Sequence, residues 1–260
     1  MSSALVRDYV KFTDIRNSCK GKMIDLSSCT WMSPTTLLPL INYLRNKGLG
    51  YKKPKDPNLS SYMAHIMSKQ NGFRVKDKTY VPLTFLPVDR EDAKVMLDEI
   101  FALPELGKDC GGEQAVKYVI SELVDNVYQH SDFKCANIIA QKYTKLGFVD
   151  ISIFDDGISI PGCFEKAGMI LDDGDALIEA INGLSTKEED RGFGLYSCVK
   201  MFTRGINGEI FIVSRNGAIL LKGAKATVFK LQDSHKLKGT LITIRVPISP
   251  AKVNIYDYVR

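Results

Sequence analysis

The stretch SELVDNVYQH, Ser121 to His130, closes a helical pattern that begins at Glu113, and the rest of the chain is read outward from it. Val116, Val119, Ile120, Leu123, Val124 and Val127 share one broad stripe at about 100° per residue, the face a helix lays on a sheet. Glu122, Asn126 and His130 run along the edge of that stripe, while Lys117, Ser121, Asp125 and Gln129 face water. A carboxylate and an amide held half-buried are unfavourable unless something polar compensates them. A hydrated magnesium ion carrying phosphates would do so, because magnesium favours oxygen ligands and keeps several waters. Asn126 then binds the ion through its amide oxygen, and Glu122, one turn earlier, orients or deprotonates a nucleophile. A plain amphipathic helix with a polar edge gives the same pattern, so this segment alone does not decide function.

Two later segments bear on the same chemistry. In FDDGISIPG, Phe154 to Gly162, the alternation of Val149, Ile151 and Ile153 places Asp155 on their face, under the helices. A buried carboxylate at a strand end wants a donor, and the exocyclic amine of adenine is one. Gly157 would let a flat ring approach the backbone, although a DDG turn needs no ligand. In STKEEDRGFGL, Ser185 to Leu195, Gly192 and Gly194 precede a helical pattern of Leu195, Cys198, Val199 and Phe202. Exposed N–H groups at such a helix start favour phosphate. The chain has neither a GxxxxGK[ST] loop nor a GxGxxG fingerprint after a strand, which excludes Walker-type and dinucleotide-fold readings.

The order of these parts, with Gly239 and Thr240 entering a last strand, resembles the GHKL superfamily of Bergerat-fold ATPases over about residues 108 to 248. The resemblance implies that Glu122 is the general base and Asn126 the magnesium ligand, with His130 beside the same site. It implies that Asp155 and Gly157 read adenine, with Thr240 supporting it through water. Gly192, Gly194 and Leu195 match the second glycine box. Cys163 to Arg191 would be a mobile ATP lid, with Lys187 and Arg191 as phosphate contacts. Ser159 and Tyr196 stand where the family often has glycine, and both are expected to tighten the pocket.

Composition agrees with a folded domain: 260 residues, 45% hydrophobic and 25% charged, with a formal net charge of +5. Lys52, Lys53 and Lys55 form the densest basic cluster, in a loop without aromatic interleaving, so a nucleic-acid partner is not expected. The six cysteines are scattered without metal or disulfide spacing, and no apolar run approaches the roughly 20 residues of a membrane span. A cytoplasmic protein without membrane attachment is the expectation.

The pattern predicts an α+β protein: a two-layer α/β sandwich of Bergerat type with a mixed sheet over 113–250, a linker and helix over 91–112, and a smaller α/β unit over 1–90. In the first unit a strand at 22–26 and helices at 35–46 and 59–69 precede a strand at 80–86. In the second, strands are expected at 137–143, 148–154, 209–214, 218–221, 226–231 and 241–246, with Asn216 and Gly217 supplying positive φ for a hairpin.

The short domain resembles anti-sigma-factor serine/threonine kinases more than histidine kinases, since His65, His130 and His235 are the only histidines and none lies on an upstream helical hairpin. No transducer pattern follows Pro247, so DNA-topology work is not expected. IDLSSCTWMSPTTLLPLINYL, Ile24 to Leu44, resembles the strand, loop and helix of STAS domains. The family's phosphorylatable serine falls on Pro34 here, with Thr35 and Thr36 following, and no phosphosite is assigned. The sequence therefore carries three readings: a Mg-ATP-dependent ATPase or protein kinase, a nucleotide-gated interaction switch, and a binding module with a degenerate pocket. A protein partner or homodimer accompanies the first two.

Overall fold

The computed structural model describes residues 3–67, 79–93, 97, 113–184, 193–248, 253–254 and 257–258. Its N-terminal elements are α1 (Ala4–Asn17), β1 (Met23–Asp25), α2 (Pro34–Lys47), β2 (Gly50–Lys52), α3 (Pro57–Met67) and β3 (Tyr80–Phe85). There follow α4 (Glu113–His130), β4 (Ala136–Tyr143), β5 (Phe148–Asp155), α5 (Ile160–Lys166), α6 (Asp173–Asn182) and α7 (Phe193–Lys200). The C-terminal strands are β6 (Glu209–Arg215), β7 (Gly217–Lys222), β8 (Lys225–Lys230) and β9 (Leu237–Pro247). Within the described residues the expected elements recur within a few residues at their ends, apart from the last strand, which begins earlier, at Leu237, and most of the linker and helix expected over 91–112 lies outside those residues. Local chemistry sets some boundaries: Pro34 opens α2 where its missing N–H is harmless, and Gly48 closes it in the left-handed conformation at φ 60°.

Seven strands form one sheet in the order β3-β4-β5-β9-β6-β7-β8. Every pairing in it is antiparallel, where a mixed sheet was expected. The parallel pairing among the described residues is β1 with β2, the two ends of a strand-helix-strand unit around α2. Hairpins join three of its six strand pairs, β4–β5, β6–β7 and β7–β8, and short connections of that kind can only join antiparallel neighbours.

β4, β5, β6 and β9 are buried on both faces. Ile138, Ile151, Ile153, Ile212, Ile242 and Ile244 pack on the α4, α6 and α7 side. Ile139, Phe154, Phe211, Val213 and Leu241 pack with Leu5, Tyr9, Phe12, Leu37 and Ile41 of the N-terminal helices. The N-terminal unit thus supplies a third layer, and its strand β3 joins the main sheet through β4. Two polar pairs buried under this layer are matched: Asn42 and Asn137 exchange amide hydrogen bonds of 2.9 and 2.8 Å, and Arg245 grips Asp150 through two bonds of 2.7 Å.

The hairpin between β6 and β7 forms as expected, but its positive φ falls on Arg215 (51°). Ser214 pairs with Gly217, so Arg215 and Asn216 are the two loop residues, and Gly217 is already in the strand. Two hydrogen bonds to Glu165, 2.5 and 2.7 Å, hold the Arg215 side chain. Among the described residues no helix is long and apolar enough to cross a membrane.

Candidate functional site

The site is built where the C-terminal end of α4 meets the end of β5. The Ile158 N–H donates to the Ser131 carbonyl at 2.7 Å, and the Cys163 thiol donates to the His130 carbonyl at 3.0 Å. A Cβ on Gly157 would collide with the Ser131 backbone. The glycine expected to admit a flat ring is therefore required by the packing of its own turn against the end of α4. Gly239, at φ 82°, serves a similar close approach on the other side, where a Cβ would strike the Asp155 carbonyl.

The two aspartates of the DDG turn have separate jobs. Asp156 accepts from the backbone N–H groups of Lys134 and Cys135, at 2.9 and 2.8 Å, and ties β5 to the chain entering β4. Asp155 is 3% exposed and accepts from the Gly157 N–H at 2.9 Å. No cationic side chain among the described residues pairs with it. Burial, with a smaller push from the Asp156 charge, raises its carboxyl to about 7, against the opposing Gly157 hydrogen bond.

Strand register puts Thr240 of β9 directly opposite Asp155 and Ser214 of β6 directly opposite Thr240. All three are buried and share the face of Ile153, Ile242 and Ile212, so they form one polar row at the end of an apolar sheet face. Thr240 and Ser214 are 3.1 Å apart through their hydroxyl oxygens. Ser214 had no signal in the sequence beyond a polar residue at a strand end.

On α4, Glu122 and Asn126 are partly buried and stand one turn apart, as their spacing requires. The Asn126 amide nitrogen is buried without a hydrogen-bond partner. An unmatched N–H there complements a phosphate oxygen, and the amide turned end for end presents its oxygen to a cation. Burial, reinforced by the neighbouring Asp125 charge and opposed by Arg90, raises the Glu122 carboxyl above the ordinary carboxylate range. Arg90 is itself held by Asp125 through contacts of 2.9 and 2.7 Å, a clamp the sequence did not suggest. Cys198 of α7 stands close enough to feel the Glu122 charge, which adds to the rise that burial gives its thiol.

His130 ends α4 and Gly194 and Leu195 lie in the first turn of α7. Lys187, Arg191 and Gly192 lie outside the described residues. Ser159 adopts φ 76°, a conformation that favours glycine, and offsets the strain by accepting from the Gly162 N–H as the cap of α5. Its hydroxyl is thus turned to its own helix rather than narrowing a pocket, and Tyr196 is 42% exposed with the Lys200 ammonium 6.0 Å from its ring centre.

The arrangement holds what a bound nucleotide needs: an acid and an amide on one helix row, and an unpaired carboxylate beside a hydroxyl on the sheet. The family of histidine kinase-, DNA gyrase B- and HSP90-like ATPases matches residues 111–250, just over half of the chain, and the protein belongs to it. An ATP-binding function comes with that membership. Among solved structures, the histidine kinase domain of the blue-light activated histidine kinase from Erythrobacter litoralis EL346 aligns over 94% of each chain, at 12% identity and a TM-score of 0.30, too loosely to carry an argument. A search of curated proteins gave no match.

Proposed function

We propose that this protein binds Mg-ATP between α4, the β5 turn and α7, and uses it as an ATPase or a serine/threonine protein kinase of the anti-sigma-factor type. The observation that carries the reading is Asp155, a carboxylate buried at a strand end with no cation beside it among the described residues. An adenine amine compensates such a group as a packed apolar ligand cannot. Asn126 would hold the magnesium ion, which keeps waters and phosphate oxygens as its other ligands and would neutralise phosphate charge. Glu122 takes the proton of an attacking hydroxyl, a role that its raised pKa favours. Lys187, Arg191, Gly192, Gly194 and Leu195 are proposed phosphate contacts, and His130 a neighbour of the same row.

Residues 1–90 are read as a STAS-like unit joined through 91–112 to the ATPase domain, 113–250. The parallel β1-α2-β2 unit supports an α/β character for it. Thr35 and Thr36 are fully buried, and Thr36 donates to the Asp8 carbonyl at 2.7 Å, so neither is placed to receive phosphate. A protein substrate supplied in trans or a second copy of the chain is the partner this reading requires. The alternative is a nucleotide-gated switch with little or no catalysis, in which ATP changes which partner the N-terminal unit meets; the core that unit shares with the sheet means it would act without separating from it.

The test uses labelled Mg-ATP with the wild type and Glu122→Ala, following released phosphate and protein-bound label together. Turnover that disappears in Glu122→Ala while ATP still binds is the expected result, since a base acts on the chemical step. Equal turnover in the two proteins would remove Glu122 from the reaction.

A further inference from the structure

The polar row at the end of the sheet has a direction. Ser214 Oγ lies 3.0 Å from the Ile160 nitrogen, 3.2 Å from the Gly239 carbonyl oxygen and 3.1 Å from Thr240 Oγ1. A serine hydroxyl has one proton and two lone pairs. The Ile160 N–H can only donate, so it takes one lone pair. The Gly239 carbonyl can only accept, so it takes the proton. Gly239 lies in the β9 segment where the register with β6 shifts, between the Ser214–Thr240 and Arg215–Leu237 pairs. One lone pair of Ser214 remains, and Thr240 donates its own proton to it. Thr240 is then left with lone pairs alone to offer a ligand, directly beside the Asp155 carboxylate opposite it on β5.

We propose that Ser214 is a positioning residue that fixes Thr240 as a hydrogen-bond acceptor, so that the site selects a purine with an amino group at ring position 6 over one with a carbonyl there. The proposal rests on the ATP reading above and adds to it the device that sets base selectivity. A hydroxyl free to rotate would serve either base. Ser214 removes that freedom from behind, fully buried and out of reach of the ligand.

ATP and inosine triphosphate, which differ in the group at position 6, would be titrated with magnesium at pH 8.5 against the wild type, Ser214→Ala, Ser214→Thr, Thr240→Val and the Ser214→Ala/Thr240→Val double variant. Binding is read directly by calorimetry, so no turnover is needed. The wild type should prefer ATP, and Ser214→Ala should reduce that preference about five- to tenfold, the worth of one hydrogen bond. Ser214→Thr keeps the hydroxyl and should keep the preference. Thr240→Val should show the same reduction as Ser214→Ala, and the double variant no further one, because the two act as a unit. A Ser214→Ala protein that weakens both nucleotides equally, or leaves the ratio unchanged, overturns the proposal while ATP binding stands. A wild type that binds neither nucleotide overturns the ATP reading and the proposal with it. Should Ser214→Ala fail to fold, by its circular dichroism melt, Ser214→Cys decides, since its sulfur is only a weak donor and acceptor: a reduced ratio supports the assignment, and the wild-type ratio overturns it.

Discussion

Strand β5 carries two buried carboxylates, five residues apart and on opposite faces of the sheet. Asp150, under the N-terminal helices, is fully buried and held by both arms of the Arg245 guanidinium, which in turn lies 4.0 Å over the Phe148 ring. Asp155, under α4, has one backbone donor and no cation among the described residues. Both have left water, and among the described residues only the first has its charge matched. A fold can use a carboxylate of the first kind as structure. A carboxylate of the second kind is maintained at the expense of stability, and a ligand that completes it is the reason to keep it.

The comparison breaks most visibly at Arg245. Arg245→Met leaves Asp150 buried and alone and should destabilise the protein by about 3–5 kcal/mol in urea unfolding, while Asp150→Leu in the same chain should recover most of the loss. If Arg245→Met unfolds like the wild type, the pair is not what anchors that face.

Asp155→Asn should act in the opposite sense on stability. The amide keeps the Gly157 hydrogen bond and removes a charge that burial disfavours, so the free protein should gain about 1–3 kcal/mol at pH 8. ATP affinity should fall about 10- to 100-fold in the same variant, the range of a hydrogen bond to a charged group. A stabilised variant that still binds ATP would separate Asp155 from the base.

The titration of Asp155 gives a third measurement. Its folded pKa of about 7 lies above the ordinary aspartate value of 3.8, so the folded state holds an extra proton between those values. That contribution to stability is full below about pH 4 and lost as the pH rises through about 7, and it should vanish in Asp155→Asn. ATP affinity should move the other way, strengthening as the pH passes 7 and the carboxylate becomes an acceptor.

The smallest effect expected is at the amide pair. Asn42→Ala strands the Asn137 amide under α2 and should cost about 1–2 kcal/mol, with ATP affinity unchanged, because this pair lies on the face away from the nucleotide. A change in ATP binding would mean that the two faces communicate through the sheet.

The elements were largely legible because their periods are clean. Val149, Ile151 and Ile153 alternate, and α4 repeats at helical spacing. The site row on α4 and the inward direction of Asp155 followed from those periods alone. Helix α1 was passed over, although Leu5, Tyr9 and Phe12 are spaced for one face, because charged residues dilute the stripe. The third layer was missed for a different reason. A strand buried on both faces shows apolar letters at every position, and nothing in β4 or β6 says which chain segment covers the second face. Nothing in the sequence marks Asp150 as buried, since a charge at an alternate strand position usually faces water. Its partner Arg245 lies 95 positions away. The direction of the Ser214–Thr240 bond was invisible for the same reason: it depends on a carbonyl and an N–H from two other segments.

The layering also has a consequence for synthesis. Tyr9 packs its ring edge against Phe211 and bonds the His235 carbonyl, 226 positions later. At roughly 5–20 residues per second, α1 leaves the ribosome on the order of 10–45 s before its partner surface exists. During that interval α1 has only α2 to lie against, and the part of its oily side that will meet β6 and β9 stays uncovered.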